Sequence, residues 1–236
     1  YIVAHDEKLK NKKFTPSEEK FKSILNGTSD LRGDNANKRI DDNGSISSLA
    51  SSKYVEKAHD KGLQVWGLIS DFNYDEDGNY YVNTVVSNTS SRRNLITNII
   101  KEATECGMDG INVDFEMVRK VAAEGYVQFI RELAIECEKA ELVLSVDMYV
   151  PTESNQYYDR ASVGLVADYL MIMGYDEHWG SGGVAGSVAS IGYVQEGIEK
   201  TLKDVPAEKI INALPFYTRV WKTKGGEVTS EALGME

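Results

Sequence analysis

The sequence predicts an α/β fold in which parallel β-strands alternate with α-helices. From about residue 54 onward, short apolar runs alternate with segments whose apolar residues recur at helical spacing. The apolar runs are nearly continuous, as they are in strands that helices cover on both faces. The length of 236 residues and the hydrophobic fraction of 42% suffice for one large domain or two small ones.

Five strands can be placed along this part of the chain, with helices between them. The predicted strands are 63–70, 110–115, 142–149, 169–175 and 210–216. One helix ends at Lys61-Gly62, and apolar residues at helical spacing predict three more. These three helices cover residues 95–106, 122–137 and 188–202. Gly107 directly follows one of them, at the position where a left-handed helix end favours glycine.

This order of elements fits either a doubly wound sheet or a barrel. No Gly-x-Gly-x-x-Gly pattern follows a strand, which argues against a dinucleotide-binding sheet. No strand is legible in the first 50 residues, and residues 26–48 are almost wholly polar. Turn signals occur there at residues 26–27, 32–33 and 43–44. A loop of this length in a compact domain indicates a missing or a functional segment.

The net charge, the apolar runs and the cysteines argue against several kinds of ligand and binding site. The formal net charge of -11 argues against nucleic acid and anionic lipid, which would repel the protein. No apolar run approaches the 18 residues of a transmembrane helix. Cys106 and Cys137 lack CxxC spacing and clustered histidines, so we expect no metal site. No organic cofactor is implied either. Two buried free thiols are the favoured state of these cysteines, and one disulfide is the alternative.

Residues 109–116, with the sequence DGINVDFE, carry the clearest chemical signal. Side chains alternate along a strand, so Asn112, Asp114 and Glu116 share one face and the intervening apolar residues share the other. A polar row that ends in Glu puts an acid at the carboxyl end of a strand, where barrel active sites lie. Each buried polar group without a partner costs about 1–3 kcal/mol, so function explains the row better than stability does. A strand that ends at a solvated edge is the alternative.

The motif resembles DGxDxDxE, the fourth-strand motif of the family 18 glycoside hydrolases, the chitinase-like barrels. Two further segments, residues 173–176 (MGYD) and 214–219 (LPFYTR), are similar to the family's sixth-strand and seventh-strand motifs. Residues 175–179 and 185–190 are similar to a bacterial branch with spore-cortex-lytic and cell-wall N-acetylglucosaminidases. The resemblance implies a single catalytic (β/α)8 barrel over residues 1–236. We expect this barrel to be incomplete, with blurred first strands and no eighth strand.

The resemblance also implies roles for individual residues. Glu116 matches the general acid/base, Asp114 the residue that orients the substrate's 2-acetamido group, and Tyr175 the hydroxyl that holds the acetamido carbonyl. That carbonyl is the nucleophile in this family, which therefore departs from the usual two-carboxylate scheme and retains the anomeric configuration. Three other matched residues line the sugar cleft in the family: Asp176, Tyr217 and Arg219.

Asn112 departs from the family pattern, which has aspartate at this position. An amide there can hydrogen-bond Asp114 without adding a like charge that would raise a neighbouring pKa. A glycan-binding, non-catalytic member of the same fold is the alternative function, although such lectins usually lack the Glu. A carboxylate metal site of Asp109, Asp114 and Glu116 is disfavoured, because Asp109 points to the opposite face.

The resemblance sets expectations for the whole protein as well. The substrate is an N-acetylated glycan, either chitin-like or from peptidoglycan and spore cortex. We expect a monomer without membrane insertion, joined to wall-binding modules and located outside the cytoplasm. The chain stops at Glu236, before any eighth strand, and the last tryptophan, Trp221, comes too early to form the floor under the reacting sugar. We therefore expect the gene to continue and this fragment alone to cleave poorly.

Overall fold

A computed structural model describes residues 2–3, 40–46 and 51–234 of the chain. Contacts between Cα atoms divide the chain into two compact units, Tyr1–Leu144 (unit 1) and Ser145–Glu236 (unit 2). Each unit has its own strands, helices and hydrogen-bonded loops, and each carries part of the predicted site.

The described residues of unit 1 form strands that alternate with helices. Its elements are β1 (Ile2–Val3), α1 (Ser52–His59), β2 (Gln64–Ser70), α2 (Tyr81–Ser87), α3 (Thr89–Cys106), β3 (Gly110–Asp114) and α4 (Ala123–Lys139), with a 3₁₀ turn at Lys120–Ala122. β1 pairs antiparallel with β2, and β2 pairs parallel with β3. Ser70 lies opposite Asp114 in this register, so the carboxyl ends of β2 and β3 are neighbours.

Aromatic rings pack Phe115, the residue that directly follows β3, against α4. Phe115 is 1% exposed, and its ring stacks on Phe129 with the centroids 5.3 Å apart. Tyr126, Ile130 and Leu133 complete the buried stripe of α4 at helical spacing. Phe115, on the apolar face of the 109–116 segment, therefore packs against a helix, as the alternation predicts.

The ends of α3 follow standard capping chemistry. The Asn88 side chain accepts hydrogen bonds from the backbone N–H groups of Ser90 and Ser91 at the amino end. At the carboxyl end Gly107 has φ of 72°, the left-handed conformation predicted for it. The buried Arg92 forms a two-pronged ion pair with Glu132 of α4 and donates to the Val86 carbonyl, which ties the two helices together.

The predicted turn at residues 43–44 is present. Gly44 has φ of +80°, and a Cβ atom there would come within 2.4 Å of the Ser91 carbonyl oxygen, so only glycine fits. Asp41 stabilises the turn by accepting hydrogen bonds from the N–H groups of Asn43 and Ser45. The turns predicted at residues 26–27 and 32–33 lie outside the described residues.

Unit 2 begins within β4 (Val143–Tyr149), which contains the boundary between the units. Its other elements are α5 (Arg160–Val166), β5 (Tyr169–Met173), α6 (Ile191–Thr201), β6 (Ile210–Ala213), β7 (Tyr217–Lys224) and β8 (Glu227–Gly234), with 3₁₀ turns at Glu153–Tyr158 and Ala207–Lys209. β4, β5 and β6 pair in parallel in that order, and β7 and β8 form an antiparallel hairpin.

The prediction of one strand over residues 210–216 was wrong in its extent. β6 ends at Ala213, and a separate strand, β7, begins at Tyr217. Pro215 lies between them and has no N–H group with which to continue a ladder. The β7–β8 hairpin was not predicted at all, although Gly225-Gly226 stands at its turn with φ of 60° and 87°.

The sequence predicted two buried free thiols and no transmembrane helix. Cys106 and Cys137 are both free thiols, Cys137 buried and Cys106 only half-buried, so the expected burial holds for Cys137 alone. Among the described residues, no helix combines the length and the apolar composition that crossing a bilayer requires.

Candidate active site

Three polar residues of the 109–116 segment, Asn112, Asp114 and Glu116, lie from the middle of β3 to just beyond its carboxyl end. Asn112 is fully buried within the strand, and Asp114 is its last residue and half-buried. Glu116 follows two residues later and is also half-buried. The structure thus brings the predicted acid and its two polar neighbours to one edge of unit 1, with Glu116 outside the ladder of hydrogen bonds that fixes β3.

A residue that the sequence analysis missed lies against this edge. Asp71 directly follows β2 and is 1% exposed. Its Oδ1 accepts a hydrogen bond from the Glu116 N–H at 3.0 Å, and its Oδ2 accepts one from the Met117 N–H at 2.8 Å. The parallel register, which sets Ser70 beside Asp114, brings Asp71 to the residues that follow β3.

Burial raises the pKa of the Asp71 carboxyl to about 7. The charge of Glu116 acts in the same direction, while the hydrogen bonds from the N–H groups of Met117 and Glu116 oppose it. The ordinary pKa of an aspartate is near 4. Removing this carboxylate from water is therefore unfavourable for the ionised form, in spite of the two N–H donors that it has found.

The raised pKa of Asp71 predicts a stability that depends on pH. Between about pH 4 and pH 7 the folded protein holds a proton on Asp71 that the unfolded chain releases. This contribution is fully present below pH 4 and is lost as the pH rises through 7, by about 4 kcal/mol in total. We expect the Asp71→Asn variant to lack this pH-dependent contribution. Denaturant unfolding of the wild type and of the variant from pH 4 to pH 8 should therefore give free energies of unfolding that converge or cross as the pH changes. Parallel curves would show that Asp71 does not titrate in this range.

The segment after Glu116 is held from a second side by Asn83 of α2. The Asn83 side-chain amide donates to the Met117 carbonyl oxygen at 3.0 Å, and its Oδ1 accepts from the Arg119 N–H at 2.7 Å. Asp71 and Asn83 together bind backbone groups of three of the four residues from Glu116 to Arg119. The backbone of residues 116–119 is therefore held by side-chain contacts instead of by sheet pairing.

Asp109 lies at the amino end of β3, directly before its first residue. Its carboxylate accepts the Val65 N–H at 2.7 Å and lies 2.9 Å from the His59 ring. With a rise of about 3.3 Å per residue, Asp109 and Asp114 lie about 16 Å apart along the strand, too far to share an ion. Among the described residues, no three His, Cys, Asp or Glu side chains are grouped so that they could hold a metal ion.

In unit 2 the predicted residues Tyr175 and Asp176 follow β5. Asp176 has φ of 56°, a left-handed conformation that Asp tolerates better than most residues. The Tyr217 hydroxyl donates a hydrogen bond to Asp176 Oδ1, which anchors this conformation. Burial, followed by this bond to Asp176, raises the pKa of Tyr217, so the hydroxyl stays protonated and remains a donor.

One face of β7 contacts the loop that follows β5. Tyr217, Arg219 and Trp221 are half-buried, while the residues between them are exposed. The Arg219 guanidinium donates to Ser230 of β8 at 2.8 Å, and the Trp221 ring N–H donates to the Gly186 carbonyl at 2.8 Å. Asp176, Tyr217 and Arg219, all predicted to line a sugar cleft, thus lie within one group of contacts in unit 2.

The rest of this loop is ordered by its own polar side chains. The Glu177 carboxylate accepts from the N–H and the hydroxyl of Ser190, at 2.7 and 3.1 Å. His178 Nδ1 lies 2.9 Å from the Ser187 carbonyl oxygen, so it carries the hydrogen. His178 therefore supports the loop, whereas Trp179 is 52% exposed.

Residues 7–234 match the family described as glycosyl hydrolases family 18, so the match extends over nearly the whole chain and includes every predicted site residue. The chain belongs to glycosyl hydrolase family 18. The resemblance predicted from the three motifs is thereby confirmed.

Individual relatives are similar over part of their length. The chain is 30% identical over 198 residues to YvbX of Bacillus subtilis, an uncharacterized glycosylase, a match that covers 80% of this chain and 57% of YvbX. It is 31% identical over 152 residues to the cortical fragment-lytic enzyme of Bacillus subtilis, over 60% of this chain and 35% of that protein. The matched part is thus little more than half of one relative and about a third of the other.

Solved structures show the fold of this family 18 chain. A chitinase from Chromobacterium violaceum has a TM-score of 0.71 and 26% identity, over 84% of this chain and 63% of that chain. The predicted fold class, a (β/α)8 barrel of which this chain holds part, is confirmed. The described residues include strands of that fold in both units: β2 and β3 pair in parallel, and so do β4, β5 and β6.

Proposed function

We propose that this chain is the catalytic part of a retaining glycoside hydrolase that cleaves β-linked N-acetylhexosamine glycans. The observation that carries the proposal is Glu116 in a family 18 chain, at the carboxyl end of β3, in alternation with Asp114 and Asn112. Barrel enzymes hold their catalytic groups at this end of the strands. Glu116 is the general acid that protonates the glycosidic oxygen, and later the base that activates water.

Substrate assistance explains why one acid suffices. The carbonyl oxygen of the substrate's own 2-acetamido group attacks the anomeric carbon as the glycosidic bond breaks, which gives an oxazolinium intermediate. Asp114 orients the acetamido N–H group and stabilises the positive charge that develops, and the Tyr175 hydroxyl donates to the acetamido oxygen. Water then opens the intermediate from the face that the leaving group vacated, so the anomeric configuration is retained.

Four further residues contribute to substrate binding in this proposal, one of them through Asp114 and three directly. Asn112 supports Asp114 through hydrogen bonding from the buried part of β3. Asp176, Tyr217 and Arg219 bind the sugar hydroxyl and acetamido groups. The Tyr217–Asp176 hydrogen bond and the Arg219–Ser230 contact support this role, because they preorganise the three side chains before a ligand arrives.

The substrate class follows from the requirement for an N-acetyl group beside the cleaved bond. Chitin-like glycans and the glycan strands of peptidoglycan or spore cortex both satisfy it. The similarity to a cortical fragment-lytic enzyme and to a chitinase supports these two classes. We infer an N-acetylated glycan as the partner and a location outside the cytoplasm, at the cell wall or the spore.

Product analysis tests the proposed function. The full-length protein is incubated with chitooligosaccharides, vegetative peptidoglycan and spore cortex in parallel, and the products are identified by mass spectrometry. We expect new reducing-end N-acetylhexosamine from at least one of the three, and the cleaved material identifies the substrate class. Binding to these glycans without any cleavage would instead favour the alternative, a lectin-like member of the fold.

A further inference from the structure

The Glu116 backbone lies beyond the end of β3 and outside its strand pairing. β3 ends at Asp114, so the N–H groups of Glu116 and Met117 are beyond its ladder of hydrogen bonds. A side chain on a mobile backbone segment samples many orientations. In an active site, a misplacement of a catalytic group by about 1 Å lowers the rate about 100-fold. Some other contact has to define the direction of the Glu116 carboxyl group.

Asp71 supplies that contact. Its two carboxylate oxygens each accept one N–H, from Glu116 at 3.0 Å and from Met117 at 2.8 Å. Two bonds from one rigid, planar group to consecutive peptides fix both the position and the orientation of the chain between them. The Asp71 side chain is itself 1% exposed at the end of β2, so the surrounding packing holds it in place.

The free energy of burial indicates a functional reason for an acid here. Burial raises the pKa of Asp71, which means that the ionised carboxylate is unfavourable in the folded protein. The charge of Glu116 adds to this penalty, as expected for two carboxyl groups that lie near each other. A destabilising group that is retained beside a proposed catalytic acid is typical of an active site.

We propose that Asp71 is a positioning residue for Glu116, whose carboxylate fixes the backbone from which the Glu116 side chain extends. The inference rests on the proposed role of Glu116 as the acid. Asn83 acts on the same segment from the other side, through the Met117 carbonyl and the Arg119 N–H, so the connection is defined at both ends. Asp71 touches no reacting atom in this account and acts through the Glu116 peptide.

The decisive variant is Asp71→Asn in the full-length protein. Asn keeps the shape of Asp but turns one acceptor into an NH₂ group that faces a backbone N–H, so one of the two bonds is lost. On an unactivated N-acetylated glycan we expect kcat to fall about 10–100-fold with KM changed less than about 3-fold. On an aryl glycoside with an acidic leaving group, which needs little protonation, the loss is at least 5-fold smaller. A merely structural defect would lower both rates equally.

Two controls keep the result interpretable. Asp41→Asn makes the same Asp-to-Asn change in a carboxylate whose Oδ1 accepts two backbone N–H groups outside the proposed site, and it should leave both rates unchanged. Glu116→Gln, assayed in parallel, reports on the proposed function: if it retains activity, the acid is misassigned and the inference falls with it. If Glu116→Gln is inactive while Asp71→Asn loses both rates equally or neither, the function stands and the positioning role is wrong.

Amide hydrogen exchange tests the contact without any variant. In the wild-type protein the Glu116 and Met117 N–H groups should exchange at least 100-fold more slowly than exposed loop amides, although they lie outside a strand. Asp71→Ala should remove this protection while the amides of Ile111 and Val113 keep theirs. Exchange of Glu116 and Met117 in the wild type as fast as in exposed loops would overturn the inference.

Discussion

Replacing Glu116 with Gln is expected to lower the rate of cleavage of an unactivated N-acetylated glycan about 10²–10⁴-fold, the usual contribution of general acid catalysis. Gln has the size of Glu and can still form hydrogen bonds, but it cannot deliver a proton to the glycosidic oxygen. Folding and glycan binding should remain, because Glu116 is only half-buried and its backbone bonds to Asp71 do not involve its side chain. Steady-state kinetics together with calorimetric binding checks both expectations.

Glu138→Gln is the matched control, since Glu138 is an exposed residue of α4 and the same change there should leave the rate unaltered. The substrate has to carry a poor leaving group, because an activated aryl glycoside needs little protonation and hides the loss. A near-normal rate of Glu116→Gln on an unactivated glycan would remove Glu116 from the role of acid.

Removing the N-acetyl group from the reacting sugar is expected to abolish cleavage, by more than about 10³-fold. In the proposed mechanism that group carries the nucleophile, and a well-oriented intramolecular nucleophile corresponds to an effective concentration of 10⁵–10⁸ M. Asp114 and Tyr175 cannot replace it, because their proposed task is to hold the acetamido group. Rates on chitooligosaccharides of defined acetylation measure this effect.

The control is an oligosaccharide of the same length that lacks the acetyl group on a sugar distant from the cleaved bond. This substrate should still be cleaved, since only the reacting sugar supplies the attacking carbonyl. A thiazoline mimic of the oxazolinium intermediate should inhibit competitively. Equal rates on both singly deacetylated substrates would indicate a protein nucleophile instead.

The elements that the sequence predicted well are those whose signal is local. An alternation of three polar and three apolar residues identified β3, and the structure places Phe115 against α4 as that pattern requires. Gly107 at the end of α3 was legible for the same reason, because a helix end depends on adjacent residues. The predicted barrel followed from such local motifs in their order along the chain.

Asp71 could not be predicted, because its role depends on residues 45 and 46 positions away in the sequence. A single Asp after an apolar run is usually a helix cap or a solvated loop residue. Only the register that sets Ser70 opposite Asp114 shows that its carboxylate meets the Glu116 N–H. The Tyr217–Asp176 bond, which joins residues 41 positions apart, was implied by the family resemblance as two cleft residues but not as a contact.

The β7–β8 hairpin was missed for a different reason, because its sequence signal is local and could have been recognised. Gly225-Gly226 between two runs of strand-forming residues is typical of a two-residue hairpin turn. The strand predicted over residues 210–216 obscured it, because the apolar run was followed through Pro215 instead of being ended before it. The half-buried face of β7 that carries Tyr217 and Arg219 was therefore left outside the predicted strands.

The stereochemistry of the first product tests the central claim, a retaining and substrate-assisted glycosidase, most directly. Proton NMR resolves the anomeric signals of newly formed reducing ends before mutarotation mixes them. During cleavage of an N-acetylated β-linked oligosaccharide by the full-length protein, we expect the β-anomer to accumulate first. A first-formed α-anomer would contradict the mechanism, because it requires direct attack by water on the opposite face of the sugar.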